Sequence, residues 1–324
     1  MRKLLTSVTS LVWIDIPETG RKGICGMWHY FLSYMKKKGV FYLLVAPYLL
    51  LFILFTVVPV VMAIGYSFSY YNVLEPARFI GPDNYIRLFT QDDVFLTAIR
   101  NTLIFAVITG PVSYLLCFGL AWLISDIPPK LRAFLTMVFY TPSIAGGVYV
   151  IWTFIFSGDS YGLLNSWLMR LNILDAPIVW LKNASYTMPA VIIVTLWMSV
   201  GTSFLSFIAG FQGVDRTLYE AGEVEGIRNR WQELWYITLP MMRPQLLFGA
   251  VMQITAAFSV GDVCTALVGF PSVDYSTHTI MNHLTDYGTL RFELGYASAI
   301  ATILFVMMVL TNSLVKKMLM KVGE

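Results

Sequence analysis

The chain carries a charged island, Tyr219-Glu220-Ala221-Gly222-Glu223-Val224-Glu225-Gly226 and then Ile237-Thr238-Leu239-Pro240, between two long apolar segments. An island of this kind is too polar for the interior of a bilayer, because charged side chains lose their hydration there. We therefore expect the loop of residues 212–243 to lie in water beside a membrane. That position makes it a candidate docking surface.

The spacing within the island predicts a helix, a break and a second helix. The positions that recur at helical intervals are Leu218, Ala221, Gly222 and Glu225. Two of these residues are small, so the helix face is shallow and a partner can approach it closely. Gly226 is expected to break this helix, residues 230–237 to form the second one, and Leu239-Pro240 to stop it before the next apolar run. A solvated loop with some helix is an equally good interpretation of this pattern alone.

Composition indicates a membrane protein. Of the 324 residues, 57% are apolar and 13% are charged, whereas in soluble domains about a quarter of the residues are charged. The net charge is +3, and no basic stripe with interleaved aromatic residues is present, which argues against a nucleic-acid partner. The three cysteines, Cys25, Cys117 and Cys264, are far apart and are expected to be small buried apolar residues without metal or redox chemistry.

Six apolar segments are long enough to cross a bilayer core of about 30 Å, which takes roughly 20 helical residues. They lie near 41–68, 99–124, 132–156, 187–211, 242–268 and 294–315. Prolines within or at the ends of these spans should kink or cap the helices, namely Pro47, Pro59, Pro111 and Pro142. The predicted fold class is an all-α integral membrane protein with six transmembrane helices. Its predicted parts are a tail of residues 1–38 and a membrane domain of residues 39–324.

The distribution of lysine and arginine orients the predicted spans. Sixteen of the 22 basic residues fall in the N-terminal tail, near Lys130, within residues 216–243 and in the C-terminal tail. Because basic loops stay on the cytoplasmic side, both termini and the charged island are predicted to be cytoplasmic. The N-terminal tail does not read as a removed signal peptide, and it is either a weakly amphipathic surface helix or a flexible segment. The cluster Lys36-Lys37-Lys38 should also remain cytoplasmic.

Several motifs resemble those of the membrane subunits of ATP-binding-cassette importers. In that family the coupling motif reads Glu-Ala-Ala, then Gly after three further residues, and later Ile-x-Leu-Pro. It is matched here by Glu220-Ala221-Gly222, by Gly226, and by Ile237-Thr238-Leu239-Pro240 with Pro244. The departures from the family pattern are Gly222 and Ile227 in place of Ala and Glu225 in place of Asp. Further matching motifs are Phe79-Ile80-Gly81-Pro82-Asp83-Asn84-Tyr85, Arg100-Asn101-Thr102 and Gly162-Leu163-Leu164-Asn165. From about Pro47 to the last span, the chain is similar to sugar permeases, the maltose-type group in particular.

The resemblance implies a type I ABC importer permease fold in a bacterial plasma (inner) membrane. This chain would form half of the translocation pathway for a carbohydrate, in particular an oligosaccharide. A second homologous permease subunit would form the other half, two cytoplasmic ATPase subunits would bind ATP and Mg, and a separate solute-binding protein would dock outside. The residues that the resemblance assigns to ATPase coupling are Tyr219, Glu220, Ala221, Gly222, Glu225, Gly226, Leu239 and Pro240. Glu220 would bind the ATPase surface or cap its own helix. Glu220→Lys or Gly226→Pro should abolish coupled uptake and leave membrane insertion intact.

Polar residues inside the predicted spans are candidates for the substrate pathway, because they are costly in a membrane. These candidates are Thr195, Ser199 and Thr202 in the fourth span, Gln253, Thr255, Ser259 and Asp262 in the fifth, and the aromatic residues Trp152 and Phe258. Hydroxyls and amides beside aromatic rings suit a sugar. Small hydroxyl residues also hold membrane helices together, which is an equally good interpretation of the Ser and Thr positions. Asp262 is expected to pair with a basic residue, hold a helix break or line the pathway.

The remaining polar segments carry little chemistry. His278, His283 and Asp286 fall between the fifth and sixth spans, where an ordinary polar loop is favoured over a metal site. Residues 157–186 are expected to contain a short interfacial helix. The chain lacks a Gly-x-x-x-x-Gly-Lys-Ser/Thr motif and a catalytic constellation, so it is expected to be a transport subunit and not an enzyme. The alternatives are the same machinery importing glycerol phosphate or another polyol derivative, and a multi-spanning scaffold or enzyme.

Overall fold

The structure is a computed structural model that describes residues 43–145 and 147–320. The predictions for the N-terminal tail, for its Lys36-Lys37-Lys38 cluster and for Cys25 lie outside the described residues. The described chain divides after Val61, and residues 62–320 belong to one compact unit. Within the described residues, the only strands are β1 (Ser69–Tyr70) and β2 (Arg78–Phe79), which pair antiparallel with Ser69 opposite Phe79.

Helices that can cross a membrane account for most of the described chain. Four spans are long enough and apolar enough by themselves, and two more are pairs of helices with a break between them. The four are α1 (Leu43–Tyr66), α3 (Asp93–Ser125), α7 with α8 (Ala184–Met198 and Thr202–Gly213) and α15 (Leu294–Met320). The two pairs are α4 (Pro129–Ile144) with α5 (Tyr149–Ile155), and α12 (Arg243–Phe258) with α13 (Gly261–Val268). With each pair counted as one span, the six predicted spans are confirmed.

Shorter helices connect the spans. They are α2 (Asp83–Thr90), α6 (Leu163–Arg170), α9 (Arg216–Val224), α10 (Arg230–Glu233), α11 (Leu239–Met241) and α14 (Ile280–Thr285). Helix α6 confirms the short helix predicted between the third and fourth spans. Its Asn165 is fully buried and donates to the carbonyls of Ser157 and Ile178, while its side-chain oxygen accepts from the indole of Trp180. One asparagine therefore shapes the loop around the Gly162-Leu163-Leu164-Asn165 motif.

The second helix of the charged island ends at Met241, one residue after Leu239-Pro240 and before the next apolar run, as predicted. The chain stays helical from Arg230 to Met241, because a π turn at Leu234–Thr238 precedes the proline. Proline lacks an N–H, and its ring crowds the carbonyl four residues back, so an ordinary α turn would be strained there. Pro59 in α1 is likewise preceded by a π turn, at Ile53–Val57. In both places the wider turn accommodates the proline within a helix, which runs on to Tyr66 after Pro59 and ends at Met241 after Pro240.

The first half of the fifth span, α12, contacts the second, fourth and sixth spans. Close approach is possible because Gly249 lies directly under the ring of Phe207 in α8; a Cβ at this position would fall within 2.5 Å of two ring carbons. The hydroxyl of Ser203, which is also in α8, donates to the Gly249 carbonyl at 3.1 Å. Small residues and interhelical hydrogen bonds of this kind are the usual means by which membrane helices associate.

Candidate coupling surface and membrane cavity

Helix α9 presents the charged island, and its start is capped by Asp215. The Asp215 carboxylate accepts a hydrogen bond from the Thr217 N–H at 3.0 Å. An N-cap oxygen of this kind satisfies a backbone donor that has no partner within the helix. The alternative in which Glu220 caps its own helix is therefore wrong. Glu220 lies in the middle of α9 with an exposed side chain, free to meet another protein.

Helix α9 ends at Val224, and Gly226 breaks the helix as predicted. The Glu225 N–H still bonds to the Ala221 carbonyl, and Gly226 then adopts a φ of +102°. The next residue, Ile227, donates its N–H to the Gly222 carbonyl at 2.9 Å. A left-handed residue that follows the last helical turn is the usual helix terminator, and glycine adopts it without strain.

Gly222 faces the interior and not a partner. A Cβ at this position would lie 2.8 Å from Cδ1 of Ile237 and 3.0 Å from Cδ1 of Ile227. The prediction that Gly222 opens the outer face of the helix is therefore wrong, because its small size lets α9 pack onto the following helix instead. Ala221 is exposed and retains the predicted place on the accessible face.

A groove of about 750 Å³ lies between α9 and the loop that joins the second and third spans. Its charged lining residues are Asp126, Arg132, Arg216, Glu220, Glu223, Arg230 and Glu233. Arg230 bonds Asp126 at 2.5 Å and lies over the ring of Trp122, with 5.1 Å from its guanidinium carbon to the ring centroid. Both charged partners are about half exposed, so this contact positions the loop more than it stabilises the fold. The groove thus offers charges of both signs beside the exposed face of α9.

A second cavity, of about 140 Å³, lies among the spans. Its lining residues are Thr109, Ser113, Thr195, Met198, Ser199, Gln253, Ala256, Ala257, Ser259, Val260 and Val263. Four pathway candidates are therefore brought together, namely Thr195, Ser199, Gln253 and Ser259. Sequence reasoning missed Thr109 and Ser113 of α3. They lie four residues apart on one helix face, so the argument used for the fourth span would have found them.

The other pathway candidates do not line this cavity. Phe258 is 2% exposed in the core, so the prediction that its ring offers a face to a sugar is wrong. Trp152 stacks on Phe156 with ring centroids 5.5 Å apart. Thr202 is exposed at the start of α8, Thr255 bonds back to the Val251 carbonyl, and Asp262 is exposed in the first turn of α13. Asp262 lies directly after the helix break, and an acid is favourable at a helix start. This position fits the expectation that Asp262 holds a helix break.

Comparison with known proteins places this architecture in a family. The sequence model of the binding-protein-dependent transport system inner membrane component matches residues 129–320. The chain belongs to this family of transport permeases. It is 30% identical to the probable ABC transporter permease protein YurN of Bacillus subtilis over 89% of this chain and 98% of that protein. It is 28% identical to the lactose transport system permease protein LacF of Rhizobium radiobacter, over 84% and 91%.

A solved structure shows the same fold. It is the crystal structure of a bacterial alginate ABC transporter in complex with an alginate pentasaccharide-bound periplasmic protein. One chain of that structure matches this permease with a TM-score of 0.68. The match covers 90% of this permease and 99% of that chain at 22% identity. The predicted type I importer permease fold is thereby confirmed. Membership of the family makes the chain an inner-membrane component of a transport system.

Gln253 of the permease holds the break in the fourth span. Its amide nitrogen donates to the Ser199 carbonyl at 3.2 Å, and the Gly201 N–H donates to the same carbonyl at 2.8 Å. The Cys117 thiol also lies 3.4 Å from that carbonyl. A helix break frees backbone groups that the membrane cannot satisfy, so side chains from neighbouring spans must do so. Gln253 therefore serves helix packing as well as lining the cavity.

The histidines between the fifth and sixth spans form a buried network of hydrogen bonds. His278 and His283 are each 2% exposed, and their ring nitrogens lie 3.2 Å apart. His283 lies 3.1 Å from Asp92, which also accepts from the Tyr296 hydroxyl at 2.8 Å. Within the described part of the chain, no group of residues has the arrangement of a metal site. Asp286 pairs with Arg291 instead of joining the network.

The buried network makes stability depend on pH. Burial and the neighbouring His283 lower the pKa of His278 to about 4, although the charges of Asp286 and Asp92 act in the opposite direction. In the unfolded chain this ring gains a proton near pH 6.5, so between pH 6.5 and 4 the unfolded state binds more protons and stability falls as the pH falls. Lowering the pH from 7 to 5 should therefore cost about 2 kcal/mol.

Thermal unfolding in detergent at pH 7 and pH 5 measures this effect. The His278→Gln variant should lose most of the pH dependence, since the titrating ring is gone. An unchanged difference between the two pH values in that variant would contradict the assignment.

Proposed function

We propose that this permease forms one half of the pathway of an ATP-driven importer of oligosaccharides. The proposal rests on one observation: in this member of the family, hydroxyl and amide side chains line the membrane cavity. Such groups exchange hydrogen bonds with sugar hydroxyls. One relative is named for lactose, and the alginate transporter structure contains a pentasaccharide-bound periplasmic protein, which supports an oligosaccharide as the substrate class.

The cavity favours a neutral carbohydrate over glycerol phosphate. None of its lining residues is charged. An anionic substrate in a low-dielectric pathway needs a cation nearby, because a charge without a partner is costly there. A polyol that carries no phosphate remains compatible with the lining. The scaffold or enzyme alternative has no comparable support, since the family consists of transport subunits.

The exposed face of α9 is the proposed contact with a cytoplasmic ATPase. Glu220 and Glu223 present carboxylates there, and Ala221 permits close approach. Carboxylates make strong hydrogen bonds to basic side chains of a partner. In this arrangement each of two ATPase subunits holds ATP and Mg and receives one such helix. ATP-driven closure of the ATPases moves the helix and opens the pathway to the outside.

Because this chain forms only half of the proposed pathway, the importer needs further subunits. A second homologous permease supplies the other wall, and a solute-binding protein delivers the sugar at the end of the spans opposite α9. Both termini then lie in the cytoplasm together with α9, as the distribution of basic residues indicates.

Intact-complex mass spectrometry of the permease, purified gently from its native membrane, tests the assembly. The expected result is one copy of this chain, one related permease and two ATPase copies. A monomer or a homo-oligomer without a nucleotide-binding companion would overturn the proposal. Uptake by the reconstituted complex then tests the substrate class. A neutral oligosaccharide is expected to compete for uptake more strongly than a glycerol phosphate.

A further inference from the structure

Helix α9 contacts the π turn that precedes the fifth span. The Tyr219 hydroxyl lies 2.9 Å from the Thr238 hydroxyl, which is the last residue of the π turn Leu234–Thr238. Gly222 lies against Ile237 of the same turn. Two of the motif residues therefore contact one turn, and neither contact involves a partner protein.

The two hydroxyls form a directed chain of hydrogen bonds. Thr238 donates its hydroxyl proton to the Glu233 carbonyl at 3.2 Å. A hydroxyl has only one proton, so Thr238 must accept from Tyr219. Thr238 is 3% exposed, which shields the chain from competition by water. Burial, together with the nearby charges of Glu233 and Asp126, raises the pKa of Tyr219, although its hydrogen bond with Thr238 acts in the opposite direction, so the hydroxyl keeps its proton.

The turn that receives this bond has wider, π-type hydrogen bonding. In it the Leu239 N–H bonds to the Leu234 carbonyl, five residues back and not four. Such π turns are uncommon within α-helices and are frequent at functional sites. Helix α12 begins four residues after Leu239 and carries Gln253, which lines the membrane cavity. Movement of the turn is therefore connected by continuous backbone to the cavity wall.

We propose that the Tyr219–Thr238 hydrogen bond is the link that transmits movement of α9 to the fifth span, with the π turn as the deformable joint. The inference rests on the proposed function, because it assumes that an ATPase moves α9. Tyr219 and Thr238 are positioning residues in this account, since neither touches substrate or nucleotide. Loss of the bond leaves the ATPase contact intact and uncouples it from the pathway.

The test measures ATP hydrolysis and sugar uptake separately in the reconstituted full complex. Tyr219→Phe and Thr238→Val should each lower the uptake per ATP hydrolysed about two- to tenfold, the range that the loss of one hydrogen bond supports. The double variant should be no worse than either single variant, because both remove the same bond. Thr238→Ser retains the hydroxyl and should restore the ratio.

Tyr236→Phe is the matched control, since it removes a hydroxyl from the same π turn at a side chain that is 68% exposed. It should leave the ratio unchanged. A wild-type ratio in Tyr219→Phe, or effects of the two single variants that add in the double variant, would overturn the link. If Thr238→Val fails to assemble, Tyr219→Phe and Thr238→Ser still decide the question. Absence of ATP-driven uptake in the wild-type complex would instead refute the proposed function itself.

Discussion

Replacing Gly226 by proline is expected to abolish ATP-driven uptake and to leave membrane insertion intact. Gly226 has a φ of +102°, whereas the proline ring fixes φ near −65°. Proline would also remove the N–H that bonds to the Glu223 carbonyl at 3.2 Å. The chain would then leave α9 in a different direction, and the helix would no longer point toward the proposed ATPase.

Gly226→Ala and Gly213→Ala form the matched pair for this prediction. Alanine at Gly226 must adopt the same left-handed backbone, at a cost of about 1–2 kcal/mol, so uptake should fall to an intermediate level. Gly213 is the last residue of α8 and has no left-handed φ, and an added Cβ there meets nothing within 4 Å. Gly213→Ala is therefore the control. Uptake in proteoliposomes and protease accessibility of the inserted chain are the measurements. Normal uptake by Gly226→Pro would refute the role of the bend.

Of the substitutions named here, replacing Asp92 by alanine should cause the largest loss in the free energy of unfolding. Its carboxylate caps α3 by accepting from the Phe95 N–H at 2.9 Å, and it also accepts from Tyr296 and lies 3.1 Å from His283. Burial raises the pKa of Asp92, but the hydrogen bonds from His283, the Phe95 N–H and Tyr296 outweigh it and hold the pKa well below its usual range. Its removal leaves the Phe95 N–H, the Tyr296 hydroxyl and the His283 ring without this acceptor, and each buried group left unsatisfied costs about 1–3 kcal/mol.

The neighbouring acid supplies the control for the Asp92 prediction. Asp93 is exposed in the first turn of α3, so Asp93→Ala should change the unfolding free energy by less than about 1 kcal/mol. Thermal unfolding of the two purified variants gives the comparison. Equal losses in both variants would show that the network does not stabilise the fold.

The six spans could be predicted because hydrophobic length is a local property of the sequence. The bend at Gly226 could be predicted for a similar reason, since glycine has a distinctive backbone preference. The π turn before Leu239-Pro240 could not be predicted, because a proline signals an end to an α-helix and says nothing of the turn that precedes it. The inward direction of Gly222 depends on Ile237, which packs against it after the chain has reversed.

Four of the six polar residues that line the candidate cavity were predicted from the sequence. The hydroxyl residues of the fourth span were recognised because they repeat at helical intervals, but Phe258 was misplaced because its burial depends on neighbouring spans. Asp92 and His283 are 191 residues apart in the chain, so no local pattern connects them.

The sequence by itself determined that the chain spans a membrane six times and carries a charged helix outside it, because apolar length and charge act through the solvent that each segment can enter. Only the tertiary structure decided which polar side chains meet. Thr109, Ser199 and Gln253 come from three spans, and Tyr219 reaches Thr238 only after the chain turns at Gly226. Hydrogen bonds and packing act over a few ångströms, so they depend on distances that exist only once the helices have assembled.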